Sequence, residues 1–520
     1  MKRQVFVLCL LIALITPSLW LMFKNPLYPS QDGLYHIARI SEFDASITNW
    51  QIPPRLAPNI ENQIGYPLFI ANYQLPYYLA EVFTLPTQNS AFAFKAVMSV
   101  TFILSAVFAF LLFKNVGSNL ASLTGAIFYT YLPYRFANLY DRGSFGESVA
   151  LMFVPLVLLG LYQVKKNSKH SFILLSVSIF GLITSHTVIF ILFAPFFLLY
   201  FLLIIKPDTS ILKKTIVAVL FAIALSAFQL IPAVFEKRYL TFDQTLLSLY
   251  LGHFTNIFQI LRIPHPAVNL GTPFQIGASA TLVIVLSTII RSKKNKFEVN
   301  FMLAAAIVGL LLSLPISKLL WQNLPVIKYI LYPWRFISLT VLASSFLAVF
   351  LVDNIRYKKT AAFTLIALTI FVSRHYFLKP IQLVTNPPTA NLTTQNENDT
   401  IWSNNNTFTQ KPLVSSNPNS NIYITRQKPF NVSANIINAQ ESTITIRKMY
   451  FPGWILKVNG QKTAITIENG LITTKLQPGS WHIETYFTES LLRIFSDLLT
   501  LFGFIILLAL LLKPKLAAKI

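Results

Sequence analysis

The sequence predicts a polytopic α-helical membrane protein of about twelve transmembrane helices, with a small extracytoplasmic all-β domain inserted before the last of them. Three observations carry that expectation. Apolar runs of about 15 to 20 residues recur from one end of the chain to the other, close to the length that crosses a bilayer. Of 520 residues, 54% are hydrophobic and only 12% are charged, and a soluble globule carries about twice that charge fraction. Between 378 and 490 no run reaches spanning length, and strand-like alternation appears instead.

The first span is expected at 4–23, behind Met1-Lys2-Arg3. It resembles a signal peptide, but no small-x-small cleavage site follows, so it reads as a retained helix starting in the cytoplasm. Further spans are expected at about 91–113, 119–138, 148–163, 171–184, 187–205, 213–232, 275–290, 299–315, 336–352, 360–377 and 491–512. Residues 66–84 are apolar but interrupted by prolines, which suits a re-entrant or interfacial helix. On this layout the lysine-rich linkers at 165–169, 206–214, 291–296 and 356–359 all face the cytoplasm, as do both termini. The net charge of +23 is then a topology signal facing anionic membrane lipid, and no nucleic-acid partner is implied. The one cysteine, Cys9, excludes an intrachain disulfide and a cysteine metal site.

Three units follow from this division: a transmembrane domain over 1–377 with active-site loops on its outer face, a β-sandwich-like domain over 378–490, and a final helix with a basic tail over 491–520. Alternating patterns mark strands at 421–426, 431–437, 442–449, 454–458 and 483–487. Val458-Asn459-Gly460-Gln461 and Glu468-Asn469-Gly470 offer tight hairpin turns. Three Asn-x-Ser/Thr matches, at Asn391, Asn398 and Asn431, arise readily in so polar a stretch and carry little weight.

Chemistry concentrates in the first outer loop, Pro29 to Pro76, which begins Pro29-Ser30-Gln31-Asp32-Gly33-Leu34-Tyr35-His36 directly after the first apolar run and continues through Arg39, Glu42, Arg55, Tyr66, Tyr73 and Pro76. Ionisable groups beside a membrane core are costly unless paired, hydrated or used. Burial among Tyr28, Tyr35 and His36 would raise the pKa of Asp32 and suit it to general-base work, or it simply caps a short helix. His36 lies four positions on, on the same helical face, so the two form either a couple or a structural pair. Asp141, Arg142 and Glu147 crowd the next outer loop, where they could hold a sugar hydroxyl, a divalent ion or a phosphate, or merely salt-bridge the loop. His186 sits at the tip of an apolar helical pair, as an interface histidine or a substrate contact. Arg262, Lys328 and Arg335 are basic residues on the face that such residues avoid. With Trp334, Arg335 could clamp a lipid phosphate while the indole lies at headgroup level, or snorkel. No nucleotide fingerprint and no His/Cys metal spacing is present.

These pieces resemble the GT-C superfamily of membrane glycosyltransferases, and more closely the bacterial YfhO-like proteins and the membrane family labelled 6-pyruvoyl-tetrahydropterin synthase-related. The resemblance lies in Asp32-Gly33-Leu34-Tyr35-His36, Gly65-Tyr66-Pro67, Asp141-Arg142-Gly143, Gln229-Leu230-Ile231-Pro232 and Pro333-Trp334-Arg335-Phe336. It continues in Tyr450-Phe451-Pro452-Gly453-Trp454 and Pro478-Gly479-Ser480 of the β-domain. The residues offer no pterin chemistry.

The resemblance implies a GT-C-like fold and an enzyme moving sugar from a polyprenyl-phosphate or pyrophosphate donor to an envelope glycan, lipid or protein acceptor. It gives Asp32 the base role, with Asp141 and Glu147 behind it. Many GT-C enzymes show an acidic pair where this chain has Asp32-Gly33, which leaves a divalent cation open; no cofactor is otherwise implied. Two other classes fit less well: a lipid-linked sugar flippase, which would place ionisable groups at mid-membrane depth, and a non-catalytic assembly protein of the envelope.

Overall fold

The computed structural model describes residues 2–24, 30–261, 274–290, 295–378, 396–409 and 412–513. Among the described residues eight helices, not twelve, are long and apolar enough to cross a membrane. They are Gln4–Lys24, Ser90–Phe113, Phe145–Lys165, Thr187–Ile205, Lys296–Ser313, Pro333–Asn354, Lys358–Phe377 and Leu491–Leu512. A ninth is reached if Thr209–Leu225 and Ala227–Phe235 form one span bent by 74°.

The expectation of twelve fails because several apolar runs are broken before they reach spanning length. The run at 119–138 stops being α-helical at Tyr131: Pro133 disfavours the helical region for Leu132, which takes φ −63° and ψ 142°. Ser171–Ser185 stops at an extended His186, and Gly277–Ile289 has only 13 residues. At about 1.5 Å per residue, helices of this size fall well short of a hydrocarbon core about 30 Å thick. Eight crossings leave the two ends of the chain on one side of the membrane, whereas nine separate them. The shared cytoplasmic termini therefore no longer follow from the count. Residues 66–84 carry the short helix Leu68–Ala71 and part of Leu75–Thr87, neither of spanning length.

Phe145–Lys165 and Pro333–Asn354 are buried almost all round and form the middle of the bundle, as helices without a polar face must. Lys296–Ser313 and Leu491–Leu512 keep one side exposed and apolar. That is the pattern of outer helices in lipid.

The extracytoplasmic β-domain comprises β1 (Val414–Asn417), β2 (Asn421–Lys428), β3 (Asn431–Asn438), β4 (Ser442–Met449), β5 (Trp454–Val458), β6 (Gln461–Thr463), β7 (Thr466–Glu468), β8 (Leu471–Leu476) and β9 (Gly479–Phe487). They form two antiparallel sheets, ordered β1-β4-β8-β7 and β2-β3-β9-β5-β6. Asn459-Gly460 and Asn469-Gly470 make the turns, all four residues at positive φ, as a tight hairpin turn demands. Alternate side chains of both sheets meet in one core, including Val432, Ile444, Ile446, Leu456, Ile472 and Ile483. Leu56, from the first outer loop, is part of that core. The loop is further tied to the domain by Met449 N–H donating to the Ile64 carbonyl at 2.8 Å and by Lys448 Nζ donating to that of Gln63 at 2.7 Å. The first outer loop is thus wedged between membrane helices and β-domain, which fixes where Asp32 can lie.

Candidate active site

The first two outer loops are zipped together through their backbones. Gln31 N–H donates to the Asp141 carbonyl at 3.0 Å and Asp32 N–H to that of Arg142 at 2.7 Å. This close approach needs a glycine at 143: its φ is +64°, and a Cβ there would lie 2.6 Å from Ser30 Oγ and 3.0 Å from the Gly33 nitrogen. After the break at Leu132 the chain runs through Pro133–Phe136 into a wide π-helical turn, Ala137–Arg142. Such turns recur at functional sites because they re-aim side chains. Here the turn directs both Asn138 and Arg142 at Glu147 in the next helix.

Glu147 is fully buried. Its carboxylate accepts from Tyr134 Oη, from Asn138 Nδ2 at 2.9 Å, from Arg142 Nη1 at 2.9 Å and from Arg335 Nε at 3.4 Å. One carboxylate therefore holds two guanidiniums side by side. Arg142 also reaches Asp32 Oδ2 at 3.6 Å and lies over the Trp334 ring at 4.4 Å. Burial by itself would lower the pKa of Arg142, but Glu147 and Asp32 raise it, so its charge is secure. Arg335 donates from Nη1 to the Ile330 carbonyl at 2.7 Å, and its Nη2 has no hydrogen bond among the described residues. Trp334 is not at a headgroup surface: it is 6% exposed and stacked between Phe274, at 3.9 Å, and Tyr332, at 5.0 Å.

Asp32, His36, Arg39, Arg142, His186 and Arg335 line one cavity of about 380 Å³, together with Tyr73, Tyr332, Glu397 and neighbours. Asp32 is one-third exposed and opens onto it. His36 does not couple to Asp32. Its Nδ1 lies 3.2 Å from Tyr77 Oη, and its ring packs among Tyr73, Phe94 and Phe145. Glu147 lies beneath the arginines and does not line the cavity, nor does Asp141, whose carbonyl serves the zip. Lys328 is outside the lining as well, and Arg262 lies outside the described residues. Arg39 and Tyr73, both in the polar-aromatic first loop marked from sequence, line the cavity, whereas Glu397 carried no signal there. Arg39 shares the helical face of His36 at i+3, a usable signal. Tyr73 fills the space left by the absent side chain of Gly146, where a Cβ would sit 2.3 Å from the Tyr73 ring. Glu397 pairs with Arg39 at 3.3 Å from a stretch with no pattern to mark it.

His186 accepts the Ile189 N–H on Nδ1 and so caps the helix Thr187–Tyr200. Burial pushes its pKa down to about 3, with Arg335 and Arg142 adding to the fall against Glu147. Burial, then Arg39 and Arg142, hold His36 well below the ordinary histidine range as well. Both rings are neutral near pH 7 and serve as hydrogen-bonding groups. A histidine whose folded pKa lies below its unfolded value of about 6.5 takes up its proton mainly on unfolding. Its contribution is complete above pH 6.5 and is lost as pH falls toward about 3. His186→Asn, which keeps a capping side chain, is expected to flatten the acid limb of melting temperature against pH; an unchanged limb would assign that limb to other groups.

The donor set does not fit a divalent cation. Each carboxylate near the cavity is already matched by a guanidinium, and among the described residues no three His, Cys, Asp or Glu side chains converge. The lining presents three guanidiniums against two carboxylates, with Glu147 beneath balancing the third, so the donors exposed to the cavity are mainly guanidinium N–H groups.

A second cavity, of about 430 Å³, shares no lining residue with the first and is lined only by apolar residues of Thr187–Ile205, Lys296–Ser313 and 324–339. Its lining includes Ile330, whose carbonyl takes the Arg335 hydrogen bond, and Phe336, the next residue after Arg335. Leu199, Val308 and Val326 are exposed at its edge.

A family profile described as "6-pyruvoyl-tetrahydropterin synthase related domain; membrane protein" matches residues 71–379. A protein of Lactococcus lactis subsp. cremoris (strain MG1363), named only "Uncharacterized protein", is 28% identical over 222 residues. That match covers 40% of this chain and 36% of the relative. The solved structure of the arabinofuranosyltransferase AftD from Mycobacteria aligns at 14% identity and a TM-score of 0.47, over 72% of this chain and 27% of that one, too slight a likeness to carry an argument. The profile covers more than half of the chain, its polar cavity included save for the first-loop and Glu397 contributions. The chain is a multi-pass membrane protein belonging to the 6-pyruvoyl-tetrahydropterin synthase related family.

Proposed function

We propose that the protein is an inverting glycosyltransferase, moving sugar from a polyprenyl-phosphate donor to an acceptor of the cell envelope at the extracytoplasmic face. The observation that supports the reading is an arginine-lined polar cavity whose Arg335 donates to the Ile330 carbonyl and precedes Phe336, both residues of a separate apolar groove with Leu199 and Val308 exposed at its edge. A substrate with a hydrocarbon tail, an anionic link and a sugar head matches those three environments in order. The prenyl chain lies in the groove, the phosphate meets Arg335 and Arg142, and the sugar occupies the cavity.

In the reaction the acceptor hydroxyl oxygen bonds to the anomeric carbon as the bond from that carbon to the phosphate oxygen breaks. The electron pair leaves on the lipid phosphate, whose growing charge the two guanidiniums neutralise. Asp32 takes the acceptor proton, with the Arg142 guanidinium 3.6 Å from its Oδ2 to orient it. Neutral His36 and His186 hold sugar hydroxyls.

The test is transfer by the protein in lipid nanodiscs, given a panel of polyprenyl-phosphate sugars and envelope-glycan acceptors. Asp32→Asn is expected to lose about 10²-fold or more of the rate while still binding donor. Equal rates would remove Asp32 as base. Movement of donor across a vesicle bilayer without transfer would make the protein a flippase instead.

A further inference from the structure

The β-domain carries a second, separate cleft. In the five-stranded sheet, Val432, Leu456, Ile483 and Thr485 point into the sandwich, so their neighbours along the strands point out. On that outer face Lys428 stands opposite Asn431, Asn431 opposite Tyr486, and Glu484 opposite Lys457. Together with Asn49, at the end of the helix Gly33–Thr48, these side chains line a cleft of about 440 Å³. It lies at the end of the sheet where β9 leads into the last span.

The chemistry of the cleft is specific. Asn431 Oδ1 is buried and has no hydrogen-bond partner among the described residues, although a buried polar atom normally finds one. The amide nitrogen of Asn49 donates to the Ala45 carbonyl at 2.8 Å, which leaves its oxygen to accept. Glu484 pairs with Arg426 at 3.7 Å through Oε1 only. Lys457 Nζ sits 5.2 Å from the centre of the Tyr486 ring, while Lys428 makes no ion pair among the described residues. Amide and carboxylate oxygens suit hydroxyl donors, an aromatic face suits a ring of C–H groups, and two lysines against one already matched glutamate suit a negative charge. A volume in the range of roughly 300–1,000 Å³ holds a small ligand.

We propose that this cleft binds an acidic saccharide, a uronate- or phosphate-bearing segment of an envelope glycan, and so holds a polymer beside the membrane independently of the transfer cavity. A bare phospholipid headgroup fits less well, since Glu484 is part of the lining and repels a phosphodiester.

The experiment uses the full chain in phosphatidylcholine nanodiscs and titrates a galacturonate hexasaccharide against maltohexaose by microscale thermophoresis. The acidic sugar is expected to bind the unaltered protein. Lys428→Gln/Lys457→Gln and, separately, Asn431→Asp should each weaken binding about tenfold, which is about 1.4 kcal/mol. Melting temperatures verify that both variants fold, and Asp32→Asn should leave binding untouched. Tight binding of maltohexaose that the substitutions do not alter would overturn the proposal, as would no binding of either sugar. Binding that appears only with phosphatidylglycerol in the disc, sugar or no sugar, would assign the cleft to lipid. Because no transfer is read, failure here leaves the catalytic reading standing, and the reverse also holds.

Discussion

Glu147→Gln is expected to destabilise the protein by about 3–5 kcal/mol, because it leaves buried guanidiniums without their counter-charge. Glutamine keeps the shape and one acceptor oxygen, so packing changes little and the loss is electrostatic. Arg142 retains Asn138 at 2.9 Å and Asp32 at 3.6 Å, and Arg335 retains the Ile330 carbonyl at 2.7 Å, which places the effect nearer the lower end. Equilibrium unfolding in mild detergent measures it. In a double-mutant cycle with Arg335→Met, the combined cost should fall short of the sum by about 1–3 kcal/mol, since each change removes the other's partner. A cost under about 1 kcal/mol, or strict additivity, would show that the carboxylate does not organise the arginines.

This position also shows what a sequence does and does not reveal. Asp141, Arg142 and Glu147 announce a charged loop, but the same letters serve for a solvent-facing acid pair and for a buried anchor. The difference arises from the break before Pro133 and the wide turn after it, which together pull Arg142 and Glu147 inward. The same break explains the overcounted spans: hydropathy records that a run is apolar, not that its helix stays continuous. Five of the nine strands and both Asn-Gly turns were legible because their signals are local, whereas Val414–Asn417, Gln461–Thr463, Thr466–Glu468 and Leu471–Leu476 were not marked. Side-chain alternation repeats every second residue, and positive φ selects the turn residues. The cavity was legible at Asp32, His36, Arg142, His186 and Arg335, where a polar residue stands out against apolar sequence. It was illegible at Glu397, which comes from the β-domain side and meets Arg39 only through the tertiary fold.

Arg55→Met should cost about as much as the loss of Glu147, roughly 3–5 kcal/mol, although Arg55 touches no part of the cavity lining. Its guanidinium is wholly buried, donates from Nη1 to the Phe228 carbonyl at 2.7 Å, and pairs with Asp497 at 2.7 Å and Glu489 at 3.4 Å. Glu489 in turn meets Arg493 at 3.4 Å, and Arg493 meets Glu236 at 2.9 Å. The chain Asp497–Arg55–Glu489–Arg493–Glu236 therefore alternates in sign from the last span through the base of the β-domain to the end of the helix Ala227–Phe235. Arg55 is the only link in it from the first outer loop. Methionine would preserve the packed stem and remove the charge, leaving Asp497 without its closest cation. Arg55→Met/Asp497→Asn should then recover about 1 kcal/mol or more relative to Arg55→Met alone. If the double variant is no better than the single one, the cost comes from the lost Phe228 hydrogen bond and packing. The loop bearing Asp32 would then be held by Leu56 in the sandwich core and the backbone zip at Gly143, with the ionic chain contributing little to its position.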